Sequence, residues 1–131
     1  MNDDVRAQSL DQLRWSLQAL ALPSDAQRSL FPPFACTADE LALDFDHWSE
    51  TAKQQQTFTT EQLAALASVS ALLSAMSGEN DAGLWTNSAL GLPRWQKVRE
   101  RARKALETFR WSLDTPPLGR AIFVRSKPGP S

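Results

Sequence analysis

The sequence predicts an all-α protein: one small domain of about four main helices around a central apolar helix, with a short extended segment near the C-terminus. Three observations carry that expectation. Apolar residues recur at intervals of three and four along four separate stretches. Helix start and stop residues bound each stretch. At 131 residues, the chain can bury one sizeable core without disulfide staples. The helical domain is expected over residues 1–125, with 126–131 as a frayed tail.

The first helix is expected from about Asp3 to Leu22, with Asn2 or Asp3 as its cap. Leu10, Leu13, Leu17 and Leu20 form its apolar seam, and Trp15 lies off that seam. Pro23 ends it by driving Leu22 out of helical geometry. Ser24 to Leu30 reads as a short turn, with Ser24 and Gln27 spaced as a capping box. The run Leu30-Phe31-Pro32-Pro33-Phe34 is irregular because its prolines lack donors, and Phe31 and Phe34 are expected to fold over the core as a lid.

The second long helix starts at Thr37, spaced from Glu40 as a capping box, with Cys36 and Leu41 placed as a hydrophobic staple. It continues to about Lys53. Leu41, Phe45, Trp48 and Ala52 point inward by period, and Leu43 falls awkwardly on the polar side. The stretch from Thr59 to Gly78 is the one expected at the centre. Thr59 and Gln62 form its capping box, and Gly78 is expected as a left-handed C-terminal cap. Leu63, Leu66, Val69, Leu73 and Met76 line one stripe, and alanines spread apolar surface over the rest. A turn-rich loop anchored by Leu84 and Trp85 follows. The last helix, about Pro93 to Trp111, buries Trp95, Val98, Ala102, Ala105 and Phe109 and stops before Pro116 and Pro117. Residues 118–125 are expected to form one extended segment.

Charge is distributed unevenly. Residues 1–56 carry nine acids and four bases, residues 57–93 three acids and no base, and residues 94–131 ten bases and three acids. The opening MNDDVRAQSL has neither the basic nor the apolar region of a signal peptide, and no stretch is apolar enough to span a membrane. With one cysteine, Cys36, no intramolecular disulfide can form, and a cytoplasmic setting is the expectation.

Candidate chemistry is sparse. Glu40, Asp44 and His47 lie one turn apart, the spacing at which carboxylates and imidazole share a metal. One such motif with a single histidine lacks the further ligands a metal site requires, so no metal and no cofactor is expected. His47 beside Asp44 resembles an oriented base, and Cys36 at a helix N-terminus resembles an activated thiol. They stand three turns apart with no oxyanion partner, so no catalytic residue is assigned. Seven bases between Arg94 and Arg110 suggest a phosphate track through Arg94, Lys97, Arg101 and Lys104, interrupted by Glu100 and Glu107. The acidic helix could instead lie against this basic one as a loose ionic seam.

The leading expectation is a non-catalytic module that binds another protein, one with basic character. It would use an acidic helix face made of Glu40, Asp44, Asp46, His47 and Glu50. Size and composition, with no shared motif, give it the general build of bacterial immunity proteins, antitoxins and small adaptors. Nucleic-acid binding through the basic helix is the second reading.

Overall fold

A computed structural model describes residues 2–32 and 35–113, with the side chains of 2–6, 79 and 80 excepted. Phe34, the stop at Asp114–Pro117, the extended segment 118–125 and the tail 126–131 lie outside the described residues. Over the described residues the chain forms five α-helices and no strand: α1 (Asn2–Ala21), α2 (Ser24–Arg28), α3 (Thr37–Gln55), α4 (Thr60–Ala75) and α5 (Pro93–Phe109). Two 3₁₀ segments, Glu79–Leu84 and Ser88–Gly91, link α4 to α5.

The all-α architecture and its four long helices follow the periodicity, but the inner places go to α1 and α5. It packs extensively on both α3 and α5, whereas α4 packs mainly on α5 and only thinly on α3. The spatial order is therefore α3–α1–α5–α4. From Gln12 to Ala21 every residue of α1 except Arg14 is buried, including Trp15, Ser16 and Gln18. Trp15 meets Phe31 edge to face at 6.4 Å, so Phe31 is the cover that the Trp15 side of α1 needed. In α4, Leu66, Val69, Leu72, Leu73 and Met76 are buried, but Leu63 is 42% exposed and Ala64, Ala67, Ala71 and Ala75 face outward. An alanine offers one methyl group, so exposing it forfeits little burial energy. The helix looked apolar all round without needing to be surrounded.

Helix ends explain most of the remaining differences. The capping box at Thr59 is present, with Gln62 N–H to Thr59 Oγ1 at 3.1 Å and Thr59 N–H to Gln62 Oε1 at 2.9 Å. At the other end Met76 closes α4, and Gly78 is extended (φ −75°, ψ 169°) rather than left-handed. The left-handed cap occurs instead at Arg110 (φ 60°), where α5 ends. Trp111 N–H donates to Leu106 C=O and Arg110 N–H to Glu107 C=O, the paired bonds of a Schellman closure. Trp111 then stacks on Phe109 at 4.4 Å.

Neither the Ser24 nor the Thr37 capping box forms. The N-terminus of α3 borrows its acceptor from far along the chain: Thr37 N–H donates to Asn87 Oδ1 at 2.7 Å, and Asn87 Nδ2 donates to Ala35 C=O at 3.2 Å. Gln27, 0% exposed, serves the end of α1. Its Nε2 donates to Ala19 C=O (3.1 Å) and Leu20 C=O (3.0 Å), and its Oε1 accepts from Arg99 Nη1 (3.3 Å). Arg99, 5% exposed, also donates to Leu90 C=O at 2.8 Å. Burial, followed by the charges of Arg103 and Arg28, lowers the Arg99 pKa from its ordinary value.

Two stability outcomes follow. Gln27→Leu keeps apolar bulk but strips donors from two buried carbonyls and an acceptor from Arg99. It should cost on the order of 3 kcal/mol, read as a lower urea midpoint at unchanged slope. A loss no larger than that of an exposed-site control such as Gln54→Leu would mean that the network is not structural. Arg110→Gly removes a side chain from left-handed geometry and should stabilise by about 0.5–1 kcal/mol in the same assay, with a destabilised variant as the contrary result.

Candidate functional site: an acid-rimmed groove between α3 and α4

Because α3 and α4 close on each other only thinly, a groove of about 480 Å³ runs between them. Ala42, Leu43 and Phe45 form its α3 wall, with Asp39 and Asp46 at the rim. Leu73 with Ser70, Ser74 and Ser77 forms the α4 wall, and Trp85 closes one end. Leu43 is 61% exposed, the most exposed large apolar side chain described. Its position follows from the helical period: α3 turns Leu41, Phe45 and Ala52 onto the core, which leaves Leu43 on the opposite side.

The polar groups of the groove are partly committed. Trp85 Nε1 donates to Met76 C=O at 2.9 Å, and its ring meets Trp95 edge to face at 5.4 Å. Ser77 Oγ donates to Leu73 C=O at 2.8 Å. The groove offers a visitor apolar surface from Leu43, Phe45 and Leu73, the hydroxyls of Ser70 and Ser74, and carboxylates at its edge. Cys36 Sγ donates to Trp85 C=O at 3.2 Å, tying the start of α3 to the same end.

The five acidic-face residues divide. Asp46, His47 and Glu50 are exposed, Glu40 is half-buried, and Asp44 is buried at 7% exposure. Asp44 thus leaves the available face. His47 packs edge to face on Trp48 at 4.6 Å, and Glu50 pairs with Lys53 at 2.7 Å. Asp39, omitted from the expected face, belongs to the groove. Leu43 was the signal in the sequence, an apolar residue out of phase with its helix. Among the described residues, no group of three or more His, Cys, Asp or Glu side chains is placed to hold a metal ion. No described helix is long and apolar enough to cross a membrane.

The four basic-helix residues divide as well. Arg94 Nη2 donates to Ala75 C=O at 3.3 Å and Arg101 Nη1 to Ser68 C=O at 2.9 Å, which fastens α5 to α4. Lys97 and Lys104 are exposed. Two of the four cations are thus engaged by backbone carbonyls and are less available to a phosphate track. The same bonds correct the ionic seam: Arg94 and Arg101 face α4, and α3 and α5 do not pack extensively on each other. A second concavity of about 550 Å³ lies between α1 and Trp111, where Asp11 and Arg14 pair with each other at 2.6 Å. No protein-family model, curated protein or solved structure matches this chain, so the reading of the groove rests on its own geometry.

Proposed function

We propose that this chain is a non-catalytic binding module that takes a segment of another protein into the α3–α4 groove. It would act as a regulator of the immunity, antitoxin or adaptor kind. The observation that carries the reading is Leu43. A large aliphatic side chain 61% exposed on the wall of an apolar groove, with carboxylates one turn to either side, is the arrangement of an interface centre with a polar rim. The isolated domain gains nothing from leaving it uncovered, whereas burying a leucine against a partner contributes about 1.5–3 kcal/mol. The exposed acids would speed and select the encounter with a basic partner. His47 and Glu50 flank this surface without lining the groove. The lone Cys36 suits a reducing, cytoplasmic setting.

The test is photo-crosslinking in cells that express the full chain, with a benzophenone amino acid in place of Leu43 and, as control, in place of exposed Lys97. The expected result is a discrete, nuclease-resistant protein adduct at position 43, absent or several-fold weaker at position 97. Equal labelling from both positions, or no adduct from 43, would remove the groove as a protein-binding surface.

A further inference from the structure

We infer that the segment seated in the groove is an amphipathic helix presenting an apolar residue with a lysine or arginine one turn before it and another one turn after it. This rests on the protein-binding reading above and specifies the partner element.

The spacing comes first. Asp39, Leu43 and Asp46 stand at i, i+4 and i+7 on α3 and share one face, with the acids about 10.5 Å apart along the axis. Ser70, Leu73 and Ser74 stand at i, i+3 and i+4 on α4, and Ser77 lies just past its end. Both walls are helical, about two turns on α3 and one on α4, so an element lying along α3 meets the same features once per turn. A helix matches that repeat, and helix-in-groove docking uses anchors of this spacing.

The chemistry of the floor comes second. Trp85 has spent its indole N–H on Met76 and Ser77 its hydroxyl proton on Leu73; Ser70 and Ser74 keep their hydroxyls on the α4 side, while Leu43, Phe45 and Leu73 supply apolar contact across the groove. The occupant's central residue is therefore apolar.

The field comes third. The α4 wall includes the last turn of its helix, where the dipole is negative and favours cations. Asp39 and Asp46 add two exposed carboxylates on the facing wall. Residues 57–93 carry no base, and the bases that bracket this region in sequence are engaged, Lys53 by Glu50 and Arg94 by Ala75 C=O. A cationic rim on the occupant complements all three terms.

The exposure of Leu43, Asp39 and Asp46 separates this groove from a small-molecule site. Such sites bury about 70–90% of their ligand, and these open walls leave one side to solvent. A symmetric contact with a second copy through this face would set Asp39 and Asp46 against their own kind, which disfavours self-pairing.

The experiment uses the full chain and fluorescein-labelled, alanine-rich helical peptides of roughly 15 residues, read by anisotropy. The first peptide carries a central leucine with lysine four residues before it and three after it. The second replaces both lysines by glutamate, and the third replaces the leucine by serine. The lysine peptide should bind, weaken as salt is raised, and exceed each of the other two by about tenfold or more. Exchanging the charge on the protein, Asp39→Lys with Asp46→Lys, should reverse the order of the lysine and glutamate peptides. Both positions are exposed, and circular dichroism confirms that the helices persist. Equal affinity for the lysine and glutamate peptides overturns the charged-helix inference and leaves the protein-binding reading standing. Failure of all three peptides, with the adduct at position 43 intact, does the same. Concentration-dependent self-association of the chain that excludes the lysine peptide would assign the groove to a second copy and overturn the inference.

Discussion

The end of α1 is the constraint on which the rest of the structure depends. Pro23 forces the helix to stop, and the stop is buried: Ala19, Leu20, Ala21 and Leu22 are all in the core. The last carbonyls of a helix have no internal partners, and here water cannot reach them easily. Donors must come from the chain. Gln27 supplies two, because α2 folds directly back from Pro23 and aims its side chain at the turn just left. Arg103 Nη2 approaches Ala21 C=O at 3.5 Å from α5. Gln27 then needs a donor for its own oxygen, which Arg99 provides, and Arg99 finds a second acceptor in Leu90 C=O. A guanidinium buried with good acceptors is tolerated, whereas the same group without them would cost several kcal/mol. One helix stop thus fixes the positions of α2, of the 3₁₀ segment around Leu90 and of α5.

That chain of satisfied groups also explains why α1, and not α4, takes an inner place. Sequence reading ranks helices by apolar content, and α4 ranks first because it has one charged residue, Glu61. The interior selects for something else. Ser16 enters the core because its hydroxyl bonds Leu13 C=O, and Gln18 because it reaches Ser112 C=O. Polar residues that satisfy themselves locally or at one distant point behave as core residues, and no periodicity count registers them. Helix existence, most boundaries, the Thr59 box and the inward stripes of α3 and α5 were legible because their causes are local. The Asn87 cap, the Gln27–Arg99 link and the placement of α1 were not, because each joins residues far apart in the chain.

The same division runs through the candidate site. Arginines on α5 read as a basic surface, yet Arg94 and Arg101 act as clamps on α4 carbonyls, a use suited to a planar, multi-donor group. Lys97 and Lys104, with compact and strongly hydrated charges, stay outside. On α3 the acids read as a single face, but Asp44 lies on the arc that also buries Leu41 and Phe45. Leu43 was visible as a residue out of phase. What the sequence could not supply was the second wall, since the groove exists only because α4 packs on α5 and leaves its contact with α3 thin.

A domain that left its core this open elsewhere would lose stability. Here the looseness is placed where it costs least. The buried hydrogen-bonded links run through α1, α2 and α5, and the guanidinium clamps hold α4 to α5. The N-terminus of α3 is held by Asn87 and by the Cys36 bond to Trp85 C=O, and Trp85 bonds Met76 C=O where α4 ends, so the two groove walls are tied at one end. Under the binding reading, the free energy of docking would come from covering Leu43 and Trp85, with the frame of α1, α2 and α5 left as it is.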